Sequence, residues 1–158
     1  MNRFYKVIFI GDMHSDSLFA STFGIHGLTD LKPGRKFMAT HKYISVDIEK
    51  YAIPSPVPLI HFCDNAVDTL LWRQIFGHVR YVFEIQPIGP ITYDICKDHN
   101  RLQQCGAPGI ELKQLVTENG LINLAKAEIA VNPDRIINQY KNPLIRQWLW
   151  RLYHGARK

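Results

Sequence analysis

Apolar and polar positions along the chain predict strands in the first two thirds and helices in the last third. Tyr5 to Ile10 is β-branched and aromatic and stops at Gly11-Asp12, which predicts a first strand. His14 to Gly27, rich in Ser, Thr and Gly, predicts an irregular stretch. Pro33-Gly34, within Leu31 to Arg35, is the signal of a type II turn. Phe37 to Ile48 is mixed and has room for one strand. Pro54, Pro56 and Pro58 exclude a helix or a central strand from Ala52 to Pro58, leaving a stiff surface connector. Leu59 to Cys63 predicts a short strand. Asp64 or Asn65 then caps a helix that turns Val67, Leu70, Leu71 and Ile75 inward and closes at Gly77. Val79 to Ile85 alternates as a strand does, with Pro87, Gly89 and Pro90 expected to break it. Cys96 to Gly109 predicts a polar loop, and the alternation of Ile110 to Val116 favours a strand.

Helical patterning takes over from Leu121 to Val131. Asn132-Pro133 and Asn142-Pro143 predict two further helix starts, and Gly155 a stop. On the last helix Leu144, Ile145, Trp148 and Leu152 fall on one face, and Trp150 lies off it. Strands followed by helices predict an α+β fold. The expected division is one α+β domain over 1–131 and a basic helical extension over 132–158. No internal repeat or low-complexity segment interrupts this order.

The chain of 158 residues, 46% hydrophobic and 21% charged, has the size and composition of one globular domain and not of a disordered chain. Its apolar runs are shorter than the ~20 residues a membrane span needs. Its first residues lack the shape of a signal peptide. Three cysteines with no C-x-x-C pair argue against a disulfide framework, so a reducing cytoplasm is the expected compartment.

Charge changes the picture at one end. The net charge is +5, and from Arg135 to Lys158 there are six Lys or Arg and no Asp or Glu. The rest of the chain is therefore close to neutral. Residues 142–158 are the expected contact for a nucleic acid, an anionic membrane surface or an acidic protein, with Arg146, Trp150 and Arg151 as the contacting residues. The alternative is a surface helix whose aromatic residues pack on the domain.

Two short constellations invite metal chemistry. Gly11-Asp12-Met13-His14 at a strand end resembles the first motif of calcineurin-like metallophosphoesterases, but the later Gly-Asp and Gly-Asn motifs of that family are missing. Asp12 is then read as bonding its own turn backbone. His61, Cys63, Cys96 and His99 match no zinc module by spacing. No metal is expected. Cys63 reads as a small buried hydrophobe, although it shares a strand face with His61.

Three further segments stand in a fixed order. They are Ile25-His26-Gly27-Leu28-Thr29-Asp30-Leu31-Lys32-Pro33-Gly34; then Leu59-Ile60-His61-Phe62-Cys63 with the helix carrying Leu71-Trp72; then Tyr81 to Pro90 with Asp94 beyond. Over roughly residues 24–117 this order resembles small ADP-ribosyltransferases of the rifampin-inactivating type. The second and third segments are also similar to an uncharacterised family of small phage and prophage proteins with a Phe-His-Phe-Cys motif. The resemblance implies a compact ADP-ribosyltransferase-like mixed β core, NAD as cofactor, and a host cytoplasm if the chain is phage-encoded.

The implied chemistry is cleavage of the bond from ribose to nicotinamide, with a carboxylate near the developing positive charge. The resemblance gives His26 and Asp94 the catalytic places, and His26, Gly27 and His61 the NAD contacts. His61 stands where that family stacks a tyrosine, Tyr93 precedes Asp94 where an acidic pair is usual, and Leu28 replaces a threonine. The residue-level alternatives are a turn cap at His26, a hydrogen-bonded core histidine at 61, a solvated loop charge at Asp94 and a core role for Trp72. A non-enzymatic phage-type protein that contacts a host protein or nucleic acid through its tail is the competing functional expectation.

Overall fold

The computed structural model describes residues 3–9, 31–38, 59–75, 79–93 and 105–155. Their order is β1 (Phe4–Phe9), β2 (Lys36–Met38), β3 (Ile60–Phe62), α1 (Ala66–Ile75), β4 (Val79–Ile88), β5 (Cys105–Ala107), β6 (Gly109–Leu115), α2 (Glu118–Val131), α3 (Pro133–Asn138) and α4 (Pro143–Gly155). This is a mixed α+β fold.

A four-stranded antiparallel sheet has the order β1-β4-β6-β2, and β3 pairs with β5 in a second, two-stranded sheet. The two sheets meet at a bridge between Tyr5 and Cys63. Residues Tyr5 to Ile8 are buried on both sides, because β1 lies between two layers. Tyr5 and Val7 join a core built with α1, α2 and the last two helices. Ile8 joins a second core with Ile60, Phe62, Phe83, Ile85, Ile110 and Leu112. Strand alternation sends successive residues to the two cores.

The turn expected at Pro33-Gly34 is present. Arg35 N–H donates to Lys32 C=O at 3.2 Å, and Gly34 has φ +93°, the left-handed conformation that a type II turn requires at its third position. The strand predicted from Leu59 appears as β3, and the weakly alternating segment from Ile110 as β6.

Three expectations are corrected. First, β4 does not stop before Pro87 but runs to Ile88. Its pairing with β1 ends at Ile85, so beyond that point β6 is its paired neighbour and β4 behaves as an edge, where proline is tolerated. Second, Cys105–Ala107 is a strand and not loop, held by β3 and by a bridge from Gly106 to Thr92. Short buried strands carry too little pattern to be told from loop. Third, Leu144 is 72% exposed, while Leu149, one turn after Ile145, is fully buried. The centre of the apolar face of α4 therefore runs through Ile145 and Leu149. Both belong to the same core as Tyr5 and Val7, so α4 packs on the body of the molecule.

The irregular stretch expected over His14 to Gly27, the Ala52 to Pro58 connector and Gly77 lie outside the described residues. So do Asp12, His14, Cys96 and His99.

Candidate functional site

Two places in the molecule carry concentrated chemistry. The first is the N-terminus of α1. A helix leaves its first N–H groups without intrahelical partners, and burial makes each of them costly. Here the first three are satisfied. Glu128, from α2, accepts from Ala66 N at 2.7 Å and from Val67 N at 3.0 Å through its two carboxylate oxygens. Asn65 Oδ1 accepts from Asp68 N at 2.7 Å. Asn65 is thus the cap that the Asp64-Asn65 pair promises, and its own amide donates to Asp68 Oδ2 at 2.9 Å.

Asp68 is 7% exposed. Its Oδ1 accepts from Tyr140 Oη at 2.5 Å. Tyr140 lies in the connector between α3 and α4 and is itself buried. Burial pushes the Asp68 carboxyl up to about 7 against the pull of its two hydrogen bonds, with Asp64 and Glu128 adding like-charge repulsion. Burial also raises the Glu128 carboxyl, offset in part by its two backbone donors. The Tyr140 hydroxyl is driven far above its usual range by burial and by Asp68.

The second place is the outer face of α4. Arg146, Trp150 and His154 are spaced four apart, so they form one ridge along the helix. The Trp150 and His154 rings stack at 5.5 Å with 19° between planes, and Tyr153 meets Trp150 edge-on at 6.1 Å. Arg151 is exposed and Arg146 half-exposed. Trp150 is half-buried and touches the core from the flank of the helix. No Asp or Glu occurs on α4 or after it.

His61 sits apart from both. Its ring is 5% exposed, and its Nε2 has no hydrogen-bond partner among the described residues. Burial, with the Lys6 charge nearby, pushes the imidazole down to about 3, so it is neutral at pH 7. Lys6 is fully buried and donates from Nζ to the His61 carbonyl at 2.6 Å, tying β1 to β3. In this arrangement the His61 side chain is enclosed. His26, Gly27 and Asp94 lie outside the described residues. Cys63 is buried, in keeping with a hydrophobic role, and Trp72 is half-buried against the helical core.

Neither Asp68, Glu128 and Tyr140 nor Lys6 is among the candidates read from sequence. An Asp three residues after an Asn is a capping signal that reveals Asp68 in principle. Glu128 and Tyr140 carry no local signal, since their partners are 62 and 72 positions away.

An open groove of about 420 Å³ lies between the end of β6 and the start of α2, lined by Leu115, Thr117, Asn123 and Leu124 among others, with no ionisable group. Among the described residues no three His, Cys, Asp or Glu side chains are placed to hold a metal ion, and no helix is long and apolar enough to cross a membrane. Comparison with protein-family models, with curated proteins and with solved structures finds no match.

Proposed function

We propose that the protein is a binding module that grips single-stranded nucleic acid through the outer face of α4. One observation carries this reading. The helix is anchored through Ile145 and Leu149, and Arg146, Arg151 and the Trp150–His154 stack, whose Trp150 touches the core from the flank, line the rest of its surface with no Asp or Glu among them. Arginines neutralise phosphates, and aromatic rings give bases a surface to stack on. An acidic host protein would meet the arginines but would have less use for the flat aromatic stack.

The test is fluorescence-anisotropy titration with labelled single-stranded RNA and DNA across a salt series. For single strands, log affinity falls with log salt by roughly 0.7 per phosphate neutralised. Arg146→Ala with Arg151→Ala is therefore expected to reduce the slope by roughly 1.4, and Trp150→Ala to weaken binding with little change in slope. Absent or salt-insensitive binding removes the nucleic-acid reading, and an acidic protein becomes the partner to seek by pull-down with and without residues 142–158.

A second reading takes the match over residues 24–117 as descent from an ADP-ribosyltransferase, active or not. Its support is the ordered sequence match, together with the succession β3, α1 and β4, which ends at Ile88 just before Gly89; this is the strand, helix and strand order that the resemblance implies. It assigns NAD to a cleft with His26, Gly27, His61 and Asp94, and it ranks second because the His61 ring is enclosed. Transfer of label from NAD in host-cell lysate, abolished by Asp94→Ala and by His26→Ala, is the expected result. No transfer, with no thermal shift at millimolar NAD, removes it.

A further inference from the structure

The end of α4 holds Trp150, Tyr153 and His154 in mutual ring contact. Trp150 and His154 have centroids 5.5 Å apart, Tyr153 and His154 are also 5.5 Å apart, and Trp150 and Tyr153 are 6.1 Å apart. Helical side chains lean toward the N-terminus, so a ring at i+4 can lay one face over the ring at i. His154 meets Trp150 in this way, with 19° between the planes. The opposite face of His154 is turned away from Trp150, toward the end of the helix.

Among the described residues no other ring of the cluster covers that face. A ring capping the far side of His154 would lie much farther from Trp150 than His154 does. The three separations are nearly equal, so Tyr153 flanks the stack, tilted by 57° against His154. Beyond His154, a Cβ added at Gly155 would meet no atom within 4 Å outside its two chain neighbours. His154 is exposed, whereas Trp150 is half-buried and packs against the core.

Charge selects the occupant. The exposed Arg151 stands three positions before His154, and Arg146 four before Trp150, so both are neighbours of the stack on the helix surface. An aromatic ring with one open face beside guanidinium groups, with no acid on the helix to repel a phosphate, suits a nucleotide.

We infer that the outer face of His154 is the platform on which one base of a single strand stacks, with Arg151 on the adjoining phosphate and Trp150 as the positioning residue beneath. This rests on the nucleic-acid reading of α4 and goes beyond it in naming the ring that touches the base. Trp150 acts through His154, which covers one side of its ring.

The experiment is anisotropy titration of the full chain with a labelled single-stranded DNA and with a strand of the same length that is abasic throughout. The wild type is expected to bind the abasic strand about tenfold more weakly, the weight of one base on an aromatic ring. In His154→Ala that penalty is expected to vanish while the salt slope stays at the wild-type value. His154→Phe keeps a flat ring without a polar atom and is expected to keep the penalty. Trp150→Ala is expected to shrink it and Trp150→Phe to restore it, whereas a purely structural role for Trp150 would weaken both strands alike. His154 is exposed, so its variants leave the core intact. An equal penalty in wild type and His154→Ala, or none in the wild type, overturns the platform and leaves the nucleic-acid reading standing. No binding of the intact strand by the wild type at low salt overturns both.

Discussion

A single carboxylate can serve two backbone donors at once, and Glu128 does so at the start of α1. The negative charge also sits where the helix dipole favours it. An amide in its place has one acceptor oxygen and an amino group that faces the second N–H. Glu128→Gln is therefore expected to lower stability by about 1–3 kcal/mol, the range for a buried donor left unsatisfied. Urea unfolding of variant and wild type checks this, and an unchanged midpoint would show that Glu128 does not hold the α1 terminus in solution. Lys6 makes the complementary point. It stands in an apolar strand as a polar residue between Tyr5 and Val7, and it folds fully buried, with its ammonium on the His61 carbonyl. Strand alternation places Lys6 on one face, but it says nothing of the second sheet that covers that face.

At the scale of the element, α4 shows how a helical wheel can be nearly right. Leu144 and Ile145 are neighbours in sequence and 100° apart on the wheel, so only one can lie at the centre of the buried stripe. The structure chooses Ile145 with Leu149. Leu149→Ala is expected to cost about 2–5 kcal/mol, as truncation of a buried leucine does. Leu144→Ala is expected to stay within about 0.5 kcal/mol of wild type. Chemical unfolding of both variants checks the pair, and comparable losses would mean that α4 docks with a different face. Elements are otherwise well legible. Asn132 and Asn142 cap α3 and α4 through their side chains, accepting from Arg135 N at 3.2 Å and Leu144 N at 2.8 Å. Thr117 Oγ1 caps α2 by accepting from Gly120 N at 3.0 Å. β5 is not legible, because three residues of Cys, Gly and Ala have no alternation to detect.

For the whole molecule, the uneven charge and the buried Asp68–Tyr140 hydrogen bond bear on the same region. Arg146 and Arg151 are carried by α4, and the connector that leads into it is tied to α1 by the hydrogen bond from Tyr140 to Asp68. The α+β class, the order of the strands and helices other than β5, and the basic character of the last segment are determined by the sequence, because periodicity, turn chemistry and caps act over a few residues. Only the tertiary structure decides that β1 is buried on both faces, that the centre of the α4 stripe passes through Leu149, and that Asp68 meets Tyr140 while Glu128 caps α1. Those pairings span 62 and 72 positions, and no local pattern encodes which distant side chain closes a buried hydrogen bond. They are set when the layers pack and the buried polar groups must find partners.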